Sequence, residues 1–245
     1  DGIRDPDRSR GLGDVYKRQG EGSLRVLTFN IRHCAGNDDV INYDRTAAVI
    51  NGMEPDVVCL QEVDYMTTRS NKVDQLKTLA DKTGMNYYFS KSIAYQGGEY
   101  GNGLLFKGTP ISTKTYLLPG AELRSAAIAE FENYVVISTH LALEENNRVE
   151  SAKQLTDLAK TYNKVVYMAG DFNEDLMNGT FFTELKKEWE VVSSTENTFP
   201  TGQATKRIDF VVTLKTPPTI VVKSNVIYNL DGAVSYTHLR AHETD

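Results

Sequence analysis

The chain is poor in the residues that most often staple or metallate a small fold. Cys34 and Cys59 are its 2 cysteines in 245 residues, too few and too irregularly placed for a disulfide framework or a thiolate metal site. Cys59 lies inside the apolar run VVCLQEV and reads as a buried free thiol. No run of eighteen apolar residues occurs, so no segment reads as a membrane-spanning helix. Positive charge is not in excess: 27 basic residues face 33 acidic ones, for a net charge of −6. That balance argues against a broad basic surface gripping nucleic acid through its phosphates, while leaving room for a local positive pocket. The opening stretch DGIRDPDRSRGLGDVYKRQGEGS carries no initiator Met, apolar core or leader cleavage pattern, and the compartment stays open. Residues 1–22 are polar, rich in Gly and Arg, and read as a disordered or vector-derived flank. No internal repeat, low-complexity tract or linker interrupts the remainder, and residues 23–233 read as one domain.

What is present from Leu24 onward is a series of apolar strands broken by amphipathic helices. LRVLTFN is apolar on nearly both faces, as a strand buried on both sides must be. Residues 40–52 have helical spacing, Pro55-Asp56 turns the chain, and VVCLQEV is a second buried strand. Residues 72–83 read as a helix ending at Gly84, a residue suited to the left-handed position after a helix. MNYYFS, NGLLFK and ISTKTYLL read as short strands, with Tyr87, Tyr88 and Phe89 as core residues rather than a base-stacking platform. AAIAEFENYVVISTHL reads as a hairpin around Glu132-Asn133. A helix follows with Val149, Ala152, Leu155, Leu158 and Tyr162 on one stripe. KVVYMAG is another buried strand, residues 180–189 another helix, and RIDFVVTL and TIVVKSNVIY are late strands. Adjoining hairpins exclude a simple alternating parallel fold. The expected fold class is α/β (α+β): two mixed sheets packed face to face, with helices outside.

Polar residues gather where these strands end: Asn30, Glu62, His140 and Asp171, with Asp209 inside the otherwise apolar RIDFVV. One such residue is most simply a turn or cap residue. Together they supply oxygen ligands and an amide but no soft ligand, which suits Mg²⁺ or Mn²⁺ rather than zinc. Mg²⁺ takes one or two protein carboxylates and leaves the rest of its shell to water and substrate phosphate. Phosphate-ester hydrolysis is the reaction class that follows.

LRVLTFNIR, DVVCLQEVD, GNGLLFK, STHL, AGDFN and RIDFVV stand here in the order and spacing of the endonuclease/exonuclease/phosphatase superfamily. The chain resembles that superfamily over Leu24 to Asn229. The resemblance implies a deoxyribonuclease-I-like four-layer sandwich and a metal-dependent phosphoric ester hydrolase. It implies Glu62 as the principal metal ligand, with Asn30 ordering the metal's shell. It implies Asp171 as the residue that orients or deprotonates the attacking water, Asn173 as a donor to the scissile phosphate, and His140 as a donor to a phosphate oxygen. Arg124 is similar to an arginine aimed at the phosphate, with a surface strand residue as the plain alternative, and Asn102 is expected to line the same pocket. Asp209 resembles the carboxylate that orients a second histidine. His33, in a loop without a defined partner, is left out of the site.

The superfamily's substrates range from DNA to small phosphate esters. An acidic chain without a Lys/Arg-rich recognition loop favours a small phosphodiester or phosphomonoester over nucleic acid. The alternatives are a DNA-acting endonuclease or exonuclease, and a non-catalytic binding module that keeps the fold. The superfamily pattern ends in Ser-Asp-His and a short apolar strand; here DGA runs instead into VSYTHLRAHETD. Residues 234–245, and GLGDVYKRQ near the start, resemble translated adapter or vector sequence. The expectation is a foreign tail, with neither His238 nor His242 replacing the missing histidine, an unpaired sheet edge where the last strand should lie, and impaired turnover.

Overall fold

The computed structural model describes residues 23–201, 203–215, 221–225 and 235–242, the last two stretches as backbone strands. The flank expected at residues 1–22 lies outside the described residues. The first sheet opens with β1 (Ser23–Asn30), followed by α1 (Tyr43–Met53) and β2 (Val57–Tyr65). β1 and β2 are parallel, with Thr28 opposite Cys59 and Asn30 opposite Gln61. α2 (Gln75–Thr83) starts where the Asp74 side chain accepts the Lys77 N–H, and it stops at Gly84 with φ 68°, the terminator read from the sequence. β3 (Asn86–Tyr95) and β4 (Gly98–Phe106) then form one long hairpin, β4 lying antiparallel to β2.

The second sheet contains β5 (Ser112–Leu118), β6 (Arg124–Glu130) and β7 (Tyr134–His140), with β6 and β7 joined by the expected hairpin. α3 (Glu145–Ala159) crosses to β8 (Val165–Asp171), parallel to β7. α4 (Thr180–Leu185), β9 (Trp189–Val191) and β10 (Asp209–Leu214) follow, and β10 is antiparallel to β8. α4 is shorter than the helix expected at 180–189. The fully buried Trp189 leaves it to start β9, and its indole N–H donates to Thr156 of α3 at 2.8 Å. The first sheet is completed by β11 (Val221–Asn225) and β12 (Ser235–His242). The strand orders are β11-β12-β1-β2-β4-β3 and β5-β6-β7-β8-β10-β9.

Alternation along the strands sorts side chains into three apolar layers. Leu27, Phe29, Val58, Leu60 and Leu105 face Ile50 of α1 and Leu76 and Leu79 of α2. Ile137, Met168, Phe210 and Val212 face Leu155 of α3 and Phe181 and Phe182 of α4. Between the sheets lie Val26, Cys59, Leu104, Ala127, Val136, Ala169 and Val211. The central strands are therefore buried on both faces, which is why they read as continuous apolar runs. Each fully buried Leu or Phe contributes roughly 1.5–3 kcal/mol. Both cysteines are buried and free. Tyr87 departs from its expected core position: β3 is an edge strand, and Tyr87 stays 42% exposed.

The expected vacant edge beside β1 is occupied. β12 pairs with β1 along its whole length, from Ser23 opposite His242 to Asn30 opposite Ser235. The sequence suggested no strand there because VSYTHLRAH lacks an apolar run; backbone pairing with β1 and β11 does not require one.

Two glycines test the packing in opposite directions. A Cβ on Gly170 would collide with the Thr139 carbonyl oxygen on β7, whereas one on Gly52 in α1 meets nothing within 4 Å. Gly170→Ala is expected to destabilise by about 1–3 kcal/mol. Gly52→Ala is expected to stabilise by about 0.5 kcal/mol through helix propensity. Urea unfolding midpoints check both signs.

Candidate active site

Strand direction explains why distant residues meet. β1, β7 and β8 end at Asn30, His140 and Asp171, while the antiparallel β6 and β10 begin at Arg124 and Asp209. Parallel strands thus contribute their last residues, and antiparallel strands their first, to one end of the sandwich. In register, His140 is opposite Asp171, and Asp171 is opposite Asp209. The expected constellation is brought together at this end.

Glu62 arrives by a different device. Between the pairs Leu60–Gly103 and Val63–Gly101, β2 places two residues, Gln61 and Glu62, against Asn102 alone. This is a β-bulge, which bends a strand and re-aims a side chain. Glu62 takes φ 58°, a left-handed conformation that costs a non-glycine residue about 1–2 kcal/mol. Simple alternation would have sent its carboxylate toward the apolar helix layer. Gln61 keeps the inter-sheet side of Val57 and Cys59, donating to Thr28 at 3.1 Å and the Cys59 carbonyl at 3.0 Å. Glu62 reaches the site end, where Asn30 donates its amide to Glu62 Oε1 at 2.9 Å and to Asp171 Oδ2 at 3.2 Å. The Asn30 oxygen meanwhile accepts the Arg32 N–H at 3.0 Å. Asn30 is therefore oriented as a donor that joins two carboxylates.

The two carboxylates occupy different environments. Glu62 lines a cavity of about 140 Å³. Asp171 is buried, and that burial raises its carboxyl above the ordinary aspartate range, opposed by the Asn173 N–H, the Asn30 amide and the Arg124 charge. His140 Nε2 lies 3.8 Å from Asp171 Oδ2. Burial, reinforced by Arg124 and opposed by Glu62, pushes the imidazole down to about 4, so it is neutral near pH 7. Asn173 has φ 50°, which asparagine tolerates better than most residues. Its backbone N–H binds Asp171 Oδ1 at 2.9 Å, and its amide donates to the Leu141 carbonyl at 2.8 Å. The loops after β7 and β8 are thereby tied together.

Arg124 is 7% exposed and pairs with Glu122 at 3.1 Å, which settles its placement against the surface alternative. Asn102 is buried on the same face of β4 as Tyr100, and its amide donates to the Ser125 carbonyl across the sheets at 2.6 Å. Tyr100 lines the cavity with Glu62, whereas Asn102, expected to line the same pocket, is turned into the space between the sheets and is not part of that lining. Register places His238 opposite Leu27 and His242 opposite Ser23, away from the Asn30 end of β1. Among the described residues no three His, Cys, Asp or Glu side chains form a ready metal cluster. The oxygen donors on offer, Glu62 beside Asp171, fit a cation that takes few protein carboxylates and keeps its waters.

Sequence reasoning missed two ion pairs built on buried carboxylates. Arg148 of α3 binds Glu174 at 2.8 Å and the Ala142 and Leu143 carbonyls, while Glu174 accepts the N–H groups of Asp175 and Leu176. Burial alone would raise the Glu174 carboxyl; the Leu176 N–H and Arg148 outweigh it and hold it low. Asp64, fully buried, holds Arg69. His33 stands nearby: burial, with Arg69 adding and Asp64 opposing, lowers its imidazole. The signal for both pairs was an ionisable residue two or three positions beyond a site residue; Arg69 follows Asp64 by five residues in the loop after β2, whereas Arg148 reaches Glu174 from α3.

The sequence profile described as the Endonuclease/Exonuclease/phosphatase family matches residues 27–227. No curated protein sequence matches the chain significantly. Among solved structures, an endonuclease/exonuclease/phosphatase from Bacteroides vulgatus is similar at 18% identity and TM-score 0.73, covering 92% of this chain and 100% of that one. The mannosyl-6-phosphatase of Bacteroides thetaiotaomicron is similar at 16% identity and TM-score 0.68, covering 89% and 98%. The human Nocturnin catalytic domain, with bound sulfate, is similar at 14% identity and TM-score 0.67, covering 91% and 94%. At such identities the structural likeness concerns the fold, which is the deoxyribonuclease-I-like sandwich.

The bulge predicts an ordering of stabilities. Glu62→Gly relieves the left-handed strain and Glu62→Ala does not, so the glycine variant is expected to be more stable by about 1 kcal/mol in denaturant titrations. His140 supplies a pH test in metal-free protein. Its folded pKa lies below the unfolded value of 6.5, so between pH 6.5 and about 4 the unfolded chain binds more protons. Stability should therefore be lost as pH falls through that window. The difference in stability between the native protein and His140→Gln should shrink or reverse there; a pH-independent difference would contradict the assignment.

Proposed function

The chain belongs to the endonuclease/exonuclease/phosphatase family, and on that premise we propose that it is a Mg²⁺-dependent phosphoesterase acting on a small phosphate ester. The observation that carries the reading is the Asn30 amide, which binds a cavity-lining carboxylate, Glu62, and a buried one, Asp171, at once. Similar groups in unlike environments are suited to different roles. Glu62 is the metal anchor, Mn²⁺ being an acceptable substitute, and the ion when bound would neutralise phosphate charge and favour attack by water.

The remaining steps belong to the chain's own side chains. Asp171 accepts a proton from the attacking water, a role its raised pKa favours by making it a stronger base. The water oxygen bonds to phosphorus as the ester P–O bond breaks; the departing oxygen takes a proton from solvent and leaves as an alcohol, and Asp171 returns the proton it accepted to solvent. Neutral His140 donates an N–H to a phosphate oxygen. Asn173, with one amide hydrogen engaged by Leu141, has a second to offer. Arg124, whose Nε makes no hydrogen bond in its buried position, supplies positive charge beside His140 and Asp171. Asp209 would orient a histidine, and neither histidine of β12 lies in register at this end. Absence of a histidine beside Asp209 would slow turnover, since losing one donor to a developing oxyanion costs on the order of 10²–10³ in rate.

A small substrate is favoured over nucleic acid by the net charge of −6. The mannosyl-6-phosphatase shows that a similar fold carries a phosphatase for a small molecule.

Titration calorimetry with Mg²⁺ or Mn²⁺ should show binding that Glu62→Ala abolishes; unchanged affinity would remove Glu62 as anchor. Any Mg²⁺-dependent hydrolysis should be insensitive to His238→Ala. Replacing Val234–Asp245 with Ser-Asp-His and a short Val/Ile-rich strand should raise it at least tenfold. Loss of activity in His238→Ala would make β12 part of the machinery.

A further inference from the structure

The cavity that begins at Glu62 continues over side chains that the proposed chemistry does not use. Its lining is Glu62, Arg69, Ile93, Tyr95, Tyr100 and Glu122. Arg69 is the most tightly held of these. Its Nε and Nη2 donate to the two oxygens of Asp64 at 2.7 and 2.8 Å. Asp64 is 0% exposed and also accepts the Thr67 hydroxyl at 2.7 Å. Thr67 in turn shares a hydrogen bond with Ser70 at 2.8 Å. Tyr95 lies 4.6 Å and Tyr100 5.7 Å from the guanidinium carbon.

A carboxylate desolvated completely is a costly way to hold a surface arginine, because exposed pairs contribute little and buried ones must offset desolvation. What the clamp does provide is a guanidinium fixed in angle and depth. The fork consumes Nε and Nη2, so Nη1, on the other side of the group, is what Arg69 can present to a ligand. Asp64 stands two residues beyond the bulged Glu62 on the same strand, so donor and metal anchor are set from one rigid element.

The chemistry of the lining selects among esters. The charge on Arg69 is matched by Asp64, and that on Arg124 by Glu122 at 3.1 Å. Among the described residues that line the cavity, none leaves positive charge uncompensated for a second phosphate. Polar groups dominate the lining, and Ile93 alone does not make a channel for an alkyl chain. Hydroxyl groups both donate and accept, and so can satisfy Glu122, Arg69 Nη1 and the two phenols together. The C–H faces of a sugar ring suit the tyrosine rings.

We infer that this cavity is a subsite for the alcohol portion of the substrate, built for a neutral polyhydroxylated group of sugar or polyol type, with Arg69 as a specificity residue positioned by Asp64. The inference rests on the proposed phosphoesterase reading for the role of the site, and its test separates the two. Initial rates of the full chain with Mg²⁺ are compared on a hexose 6-phosphate, a hexose 1,6-bisphosphate and a dodecyl phosphate. The expected preference in kcat/KM for the hexose monophosphate is at least tenfold over both. Arg69→Met should raise its KM at least tenfold with kcat changed less than threefold. Arg69→Lys, which keeps the charge and loses the fork, should not restore it. Preference for the bisphosphate or dodecyl ester would overturn the inference. So would an unchanged KM, or a parallel fall in kcat and thermal midpoint, which would mark Arg69 as structural only. If no ester is hydrolysed, calorimetric binding of the hexose 6-phosphate decides. Binding abolished in Arg69→Met sustains the subsite while the phosphoesterase reading fails, and absence of binding to the unmodified chain overturns the subsite itself.

Discussion

A strand buried on both faces has no place for a charged side chain except at its ends, and β2 carries Glu62 three residues before its last residue. The adjacent layer toward α1 and α2 is filled by Leu60, Val63, Leu76 and Leu79, where an unpaired carboxylate would be expensive to bury. The bulge at Gln61–Glu62 resolves that conflict by spending backbone strain instead of burying charge. Much else depends on it. Asn102 stands opposite the extra residue, and Asn30 finds Glu62 within reach while still bonding Asp171. The strain at one residue and the geometry of the whole cluster are therefore one feature seen at two scales.

Ion pairs on buried carboxylates serve the two sheets in parallel ways. Arg148–Glu174 pins the loops that follow β7 and β8, and so the surroundings of His140, Asp171 and Asn173. Arg69–Asp64 pins the segment that follows β2. Neither is a strong argument for stability, since desolvation offsets most of the attraction. Their effect is on precision: loops that would otherwise sample several positions are held where strand-end residues need them.

Much of this was legible in the sequence where one physical cause dominated. Apolar runs marked the central strands, Gly84 marked a helix end, and polar residues after apolar runs marked the site. Misreadings arose where a second cause competed. Trp189 looked helical by spacing but is drawn into β9 by burial and its bond to Thr156. Tyr87 looked like core, yet its strand is an edge. Asp209 sat inside an apolar stretch and turned out to begin its strand, the position that the antiparallel direction carries to the site end. The Asp64 and Glu174 clamps were invisible because an ion pair made by a loop or a remote helix leaves no periodic trace in the sequence.

The strand order of the first sheet has a consequence for how the molecule comes to be folded. Among the described residues, β12 is the last strand in sequence and lies between β11 and β1, the first. Contacts between such remote segments close the longest loops and slow the search for the native state. During synthesis β1 can pair with β2 early, but its other edge must wait until residues 235–242 have emerged. Through that interval the Leu27–Asn30 stretch presents unsatisfied backbone groups along an apolar strand, the configuration in which a chain most readily pairs with a neighbour instead of itself.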